Sequence, residues 1–472
     1  MKLFRKDPVF YKNVFALALP IALQSLITIG VNMLDTIMVG ELGENALSAT
    51  SLANSFISIY HIFCMGLGMG ASVLVSRFWG MKQAHHDEEK AEVALRQTVC
   101  LMLRLAVTIA TLFALATLIM PKTLMRMYTD DPEIIKLGSI YFKWSIVTYF
   151  FLGTSLVTTI VLRSVGQVRL PLFVSIGAFF VNLLANYTFI FGKFGAPRME
   201  VAGAALGTLI ARIFEAGMIL GYLFLRDKKI FFRVRDIFMK TGSLLGEYIR
   251  ISIPVLISDA ILALGNNSVA MVIGHLGATF TAANAITSVT QQLSTVVIQG
   301  VSQAGAIVTG QTLGKEGRER TMTQGWMFLG LGFALGTISA IFIMIISNPI
   351  INTYNVSLET KQIARQLMDA ISLIIIFRST NSIMTKGVLR GGGDTKMLMV
   401  TDNVFLWVLS LPLGILAGFV FHWSAFWIYV ALNSAEIVKT IWCVFRLKSE
   451  KWIKKISTGK DPSTSSGTPK EK

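Results

Sequence analysis

The sequence predicts an all-α integral membrane protein, with twelve transmembrane helices in two six-helix lobes related by a pseudo-two-fold axis along the membrane normal. Three observations predict it. Long apolar runs carry almost no charge, Lys and Arg gather in alternate loops, and one half of the chain repeats the other. Of the 472 residues, 53% are hydrophobic and only 15% are charged. A soluble globular chain carries about 25% charged residues. Crossing a bilayer takes about 20 apolar residues at 1.5 Å rise each, and stretches such as 105–120, 329–346 and 397–420 carry almost no charge. Backbone groups in lipid must be satisfied within the segment, so runs this long are helices. Barrel strands would be shorter and alternating.

The apolar segments, in order, are 12–39, 47–75, 93–120, 136–162, 170–192, 201–225, 247–273, 280–309, 322–346, 361–388, 397–420 and 423–446. The first is too long for the apolar region of a cleavable signal and reads as a span. Lys and Arg crowd the N-terminus (Lys2, Arg5, Lys6, Lys12) and the even-to-odd loops: Arg77, Lys82 and Lys90, then Arg163 and Arg169, then seven between 226 and 250. They recur at Lys315, Arg318 and Arg320, and at Lys386, Arg390 and Lys396. The other loops are poor in them. This bias predicts cytoplasmic termini and an even number of spans. It also accounts for the net charge of +16 as loops facing an anionic leaflet, with no nucleic-acid partner. Cys64, Cys100 and Cys443 fall in apolar runs and are expected to be free buried thiols.

MVGELGENALSATSLANS (38–55) resembles VIGHLGATFTAANAITSV (272–289). Gly40, Leu42, Gly43 and Ala49 match Gly274, Leu276, Gly277 and Ala283 at an offset of 234. The same offset pairs Pro20 with Pro254, Gly66 with Gly300 and Gly80 with Gly314. VLRSVGQVR (161–169) matches VLRGGGDTK (388–396) at an offset of 227. Six helices per half means both halves enter the membrane from the same side, as parallel repeats with a substrate path between them. The expected organisation is an N-lobe over 1–225, a cytoplasmic linker over 226–246, a C-lobe over 247–447 and a disordered polar tail over 448–472.

Polar stripes mark the candidate sites. The first helix carries Gln24, Thr28, Asn32 and Asp35 on one face. A carboxylate inside a span is costly and functional by default. Burial disfavours its charged form, so Asp35 can exchange a proton or hold Na⁺ when ionised. Asn182 and Asn186, one turn apart on the fifth helix, could add neutral oxygens. The second helix presents Ser51, Asn54, Ser58, His61, Met65 and Met69. Its counterpart, the eighth, presents Asn284, Ser288, Gln292, Thr295, Gln299 and Ser302. Two equivalent stripes predict a cavity shared by both halves, and the alternative is interhelical packing. Asp259 and Arg378, both at membrane depth, are expected to pair with each other. Arg212 and Glu215, at i and i+3, are expected to neutralise one another. No phosphate-binding loop, His/Cys metal spacing or nucleophile elbow is present, so no enzyme activity and no cofactor are expected.

LALP (17–20), LDTIMVGELG (34–43) and VLRGGGDTK (388–396), set in twelve helices, resemble the multidrug and toxic compound extrusion (MATE) family over essentially the whole chain before the tail. The resemblance implies a multidrug-efflux antiporter of the bacterial plasma membrane. It would act as a monomer, exporting cationic or amphipathic organic compounds in exchange for H⁺ or Na⁺. It further implies that Asp35 is the helix 1 acid, that Asn182 and Asn186 join it, and that Thr208 supplies a hydroxyl from helix 6. Asp259 lies about a turn from the level of the acid that members often carry on helix 7. On helix 10, where some members carry an acid, this chain has Ser379 beside Arg378. The helix 10 departure weakens a Na⁺ site in the second half and favours coupling through the first, without deciding the ion. A lipid-linked precursor or polysaccharide flippase of the same superfamily would add helices and line its cavity with cations. A facilitator-superfamily transporter would show acid and Arg in the loop after helix 2, which reads SRFWGMKQAHHDEE here. A non-transporting membrane scaffold would have no use for a buried Asp35.

Overall fold

A computed structural model describes residues 7–85, 87–354 and 356–454. Among them every regular element is helical. Ten helices are long and apolar enough to cross a membrane, and two bent pairs bring the spans to twelve. We number the spans α1 (Pro8–Gly40), α2 (Glu44–Gln83), α3 (Glu88–Ile119), α4 (Pro132–Ser145 with Thr148–Ser164), α5 (Arg169–Phe191) and α6 (Val201–Arg226). The second half comprises α7 (Leu244–His275), α8 (Ala278–Lys315), α9 (Gly317–Thr353), α10 (Leu358–Leu389), α11 (Thr395–Val420) and α12 (Ala425–Leu432 with Ser434–Lys448).

Each predicted span is found, and most run past their predicted ends. At 1.5 Å per residue, the 40 residues of α2 extend about 60 Å, twice the ~30 Å hydrocarbon core. Hydropathy therefore marks only the middle of such a helix. Local chemistry sets several ends. The Asp7 carboxylate accepts the Phe10 N–H at 3.0 Å, and Asp131 accepts those of Glu133 and Ile134 at 2.8 and 3.2 Å, as N-caps do. Gly43 (φ 108°) and Gly277 (φ 111°) make the tight turns between α1 and α2 and between α7 and α8. That backbone region favours glycine.

The bends have visible causes. α4 turns by 58° between its two segments, where the Tyr60 hydroxyl donates to the Tyr149 carbonyl at 2.6 Å. A side chain entering the helical ladder is a known source of kinks. α12 turns by 43° at Asn433, whose backbone leaves helical geometry.

The repeat is visible as contacts. The Cβ position of Gly66 lies 2.8 Å from the Leu256 Cβ, and that of Gly300 lies 2.9 Å from the Ala22 Cβ. Likewise Gly80 abuts the Gln311 carbonyl and Gly314 the Arg77 carbonyl, each at 2.2 Å. Each pair maps onto the other at the offset of 234 read from the sequence. Glycine is required here because another helix's backbone fills the space of a side chain.

The halves exchange the beginnings of their first helices. Phe10, Val14 and Ala18 of α1 belong to the second half's apolar core, which runs from Val272 to Trp452. Leu244, Tyr248 and Ile251 of α7 belong to the first half's core. Pro20 sits where α1 crosses over. The 226–246 segment, expected as a linker, is folded onto the first half. Ile230 and Phe232 are fully buried, the Asp227 carboxylate accepts the Ile230 N–H at 2.7 Å, and Arg104 Nε donates to the Ile237 carbonyl at 2.8 Å. Lys229 lies in this segment, and partial burial holds its ammonium below the usual lysine range.

Both described chain ends lie at one end of the bundle, where the halves are tied together. Arg320 pairs with Asp7, Arg77 donates to the Lys454 carbonyl at 2.7 Å and Gln311 to the Ser164 carbonyl at 2.7 Å. Here residues 66–76 of α2, and 300–310 of α8 apart from the half-buried Gln303, are buried. Toward the opposite end α2 exposes Ser51, Asn54 and Ser58, and α8 exposes Gln292 and Gln299. The predicted polar tail from 455 onward lies outside the described residues. All three cysteines are free and buried.

Candidate substrate and ion cavity

The polar stripe of α1 faces inward. Gln24, Thr28, Asn32 and Asp35 all border a cavity of 810 Å³, joined by Asn54, Ser58 and His61 of α2, Asn182 of α5 and Thr208 of α6. At steps of three and four, one helical face carries these groups, and the cavity is where that face finds no apolar neighbour. Asn186 sits behind it, 1% exposed. Its Nδ2 donates to Asp35 Oδ1 at 2.6 Å and contacts Asn182 Oδ1 at 3.3 Å. Gly207 of α6 makes room for it, since a Cβ there would fall 2.0 Å from Asn186 Oδ1. That Oδ1 is buried and has no hydrogen-bond partner among the described residues. The carboxylate, the two amide oxygens and the Thr208 hydroxyl are hard oxygen donors of the kind that suit a proton or an alkali cation. Among the described residues no cluster of His, Cys, Asp and Glu could hold a resident metal.

Asp35 takes part in no ion pair among the described residues, whereas four acids within the second-half helix packing, Asp259, Asp394, Asp402 and Glu436, are each met by a cation. Asp402 pairs with Lys439 at 3.0 Å, Glu436 with Arg378 at 3.5 Å and Asp394 with Arg446 at 2.7 Å. The expected pairing of Asp259 with Arg378 is not what forms. Asp259 contacts Arg390 at 3.3 Å, while Arg378 turns to Glu436 and to Asn433. Charges at equal depth say nothing about which way each helix faces. Arg390 also reads as a loop residue before three glycines. A π-helical stretch over Ser382–Leu389 carries the helix on to Arg390, which is 4% exposed. Arg212 and Glu215 do form their pair, at 2.5 Å, on the cavity wall.

Four other expected cavity residues lie elsewhere. Met65 packs against the small apolar cluster of Met69, Ile160 and Val255. Ser288 back-bonds to the Ala285 carbonyl at 2.8 Å, and Gln292 and Gln299 are exposed on α8 without bordering the cavity. The cavity is lined by the first half alone. A polar stripe fixes a common face of a helix but not the neighbour that face meets.

Among the lining residues that sequence reasoning missed are Tyr141 and Arg163. Tyr141 borders the cavity and its hydroxyl donates to Asn54 Oδ1 at 3.3 Å; a lone Tyr in an apolar helix gave no signal. Arg163, counted as a loop cation, also borders it. Arg163 donates to Gln24 of α1 and, at 2.7 Å, to Gln303 of α8 in the other half. The repeat held a signal for this, because the 227 offset pairs Arg163 with the membrane-buried Arg390.

Twelve spans in two parallel repeats, tied at one end and holding a polar cavity within the bilayer, define a membrane transporter. The chain belongs to the MatE family, matching it over residues 20–188 and 254–416, one segment in each half. Among its relatives, the uncharacterized transporter YisQ of Bacillus subtilis is 24% identical, over 94% of this chain and 95% of that protein. The probable multidrug resistance protein NorM of Thermotoga maritima is 25% identical, over 95% and 94%. A crystal structure of a Vibrio cholerae MATE transporter shares the fold with a TM-score of 0.83 at 16% identity, covering 93% of this chain and 97% of that one. The outward-facing conformation of a multidrug resistance MATE family transporter gives a TM-score of 0.80 at 18% identity, over 93% and 96%.

Proposed function

We propose that this chain is an ion-coupled antiporter that exports cationic or amphipathic organic compounds in exchange for H⁺ or Na⁺. The observation that carries the reading is Asp35, an acid without an ion-pair partner that faces a cavity of 810 Å³ and is hydrogen-bonded by Asn186. A permanently paired acid would have no reason to change its charge. An unpaired one at membrane depth costs free energy in one ionic state and is relieved in another. Multidrug-resistance relatives support the substrate class.

In this reading the tied end faces the cytoplasm, as the Lys and Arg bias predicts, and the cavity opens toward the outside. Asp35 takes up its proton or Na⁺ from outside as the compound leaves. It gives the ion up on the cytoplasmic side as a new compound enters. Ties such as Arg163 to Gln303 must break for the halves to open the other way.

The test is efflux of a fluorescent organic cation from proteoliposomes, with proton and Na⁺ gradients imposed separately. One gradient is expected to drive efflux and the other not. Equal release with no gradient at all would overturn the antiport reading.

A further inference from the structure

A second pocket, of 350 Å³, lies at the tied end, far along the chain from the Asp35 cavity. It is bounded by α7, the α10–α11 turn, the end of α12 and Lys454. Its size falls within the ~300–1,000 Å³ of ligand pockets. Four cations, Arg250, Lys396, Arg446 and Lys454, meet two acids, Glu247 and Asp394. Asp394 is 2% exposed and already answered by Arg446 at 2.7 and 2.9 Å and by Lys454 at 3.5 Å. Glu247 reaches Arg250 only at 3.6 Å. The Lys396 side chain is exposed and, among the described residues, has neither hydrogen bond nor ion pair. The pocket thus presents unanswered positive charge.

Apolar surface continues from it along the spans. Met397 and Val400 line the pocket and are 37% and 49% exposed, and Val404 and Ile253 beyond them are 45% and 48% exposed. Cations at a membrane surface with an apolar path beneath them match an amphiphile whose head is anionic. The fold does not demand these charges. At the repeat offsets the first half has Asn13 and Ala16 in place of Glu247 and Arg250, and keeps only Arg169 in place of Lys396.

We infer that this pocket binds the phosphate headgroup of an anionic phospholipid from the leaflet at the tied end, with its acyl chain along α7 and α11. The bound lipid braces the bundle there. Tyr248, on α7 beside the pocket, donates to the Leu67 carbonyl of the first half at 2.8 Å, so the headgroup holds α7 against both halves.

Native mass spectrometry of the purified full chain in detergent tests this with phosphatidylglycerol, phosphatidylcholine and inorganic phosphate. Phosphatidylglycerol is expected to form a retained adduct, and phosphatidylcholine is not. Arg250→Gln with Lys396→Gln should weaken phosphatidylglycerol binding about 30-fold, at about 1 kcal/mol for each charge near the surface. Lys396→Arg should keep it, which separates charge from folding. Lys240→Gln with Lys315→Gln, neutralising exposed cations elsewhere, should also keep it. Equal binding by the Arg250/Lys396 variant, or equal loss in the Lys240/Lys315 variant, would overturn the site. Competition by millimolar inorganic phosphate as effective as that by the lipid would assign it to free phosphate and sink the lipid reading.

Discussion

A single methylene carboxylate inside a bilayer is expensive in proportion to how poorly it is answered. Asp402, Glu436, Asp394 and Asp259 are each met by a cation, and Asp35 is met by an amide. Replacing Asp35 by Asn keeps the shape and removes the charge. The protein is then expected to insert and melt as before, while gradient-driven efflux falls about 10-fold or more, the scale of a 1–3 kcal/mol coupling. Unchanged efflux in proteoliposomes would remove Asp35 from the mechanism. The Asp259–Arg390 pair behaves differently. Asp259→Ala leaves Arg390 buried without its counter-charge, which should cost about 3 kcal/mol in thermal unfolding. A second change, Arg390→Met, should recover most of that, and Arg378→Met should not. At this scale Asp35, Asn182 and Asn186 were readable as candidates, since polar atoms stand out in apolar helices, whereas Thr208 came only from the family resemblance. The partner of Asp259 was not, because depth along a helix is encoded locally and azimuth is not.

Helices α2 and α8 are where the repeat becomes mechanical. Their inner halves are small and buried, and their backbones touch at Gly80 and Gly314. A methyl group at Gly314 meets the Arg77 carbonyl 2.2 Å away. Overpacking of this kind costs about 1–3 kcal/mol. Gly314→Ala should therefore loosen the tied end. Hydrogen exchange over 76–83 and 308–315 should rise in that variant while exchange in α5 and α6 stays as it was. A uniform rise would mean general destabilisation instead. The glycine positions were visible in the sequence as matches at one offset. That they press backbone on backbone was not, since a conserved spacing does not name what stands opposite. The bends in α4 and α12 were equally silent, as neither contains a proline at its break.

Over the whole molecule, the basic loops and both described chain ends share the tied end. If the Lys and Arg bias sets orientation, that end is cytoplasmic. A fluorescent protein fused to the C-terminus should then fluoresce in cells, and an alkaline phosphatase fused there should be inactive. The opposite pair of results would invert the proposed direction of transport. The exchange of α1 and α7 between halves also changes what a lobe is. Residues 1–225 and 247–447 are repeats in sequence, but each core borrows the start of the other half's first helix.

Twelve spans, their order, the twofold repeat and the acid on α1 followed from the sequence alone. Each depends on short-range facts: apolar length, the sign of loop charge, the spacing of like residues along one helix face. Three things required tertiary structure: the restriction of the cavity to the first half, the choice of Arg390 for Asp259, and the reach of Arg163 across to Gln303. All three depend on how helices are rotated and tilted against one another. Rotation is fixed by the sum of many packing contacts between segments more than a hundred residues apart, and no local pattern carries that sum.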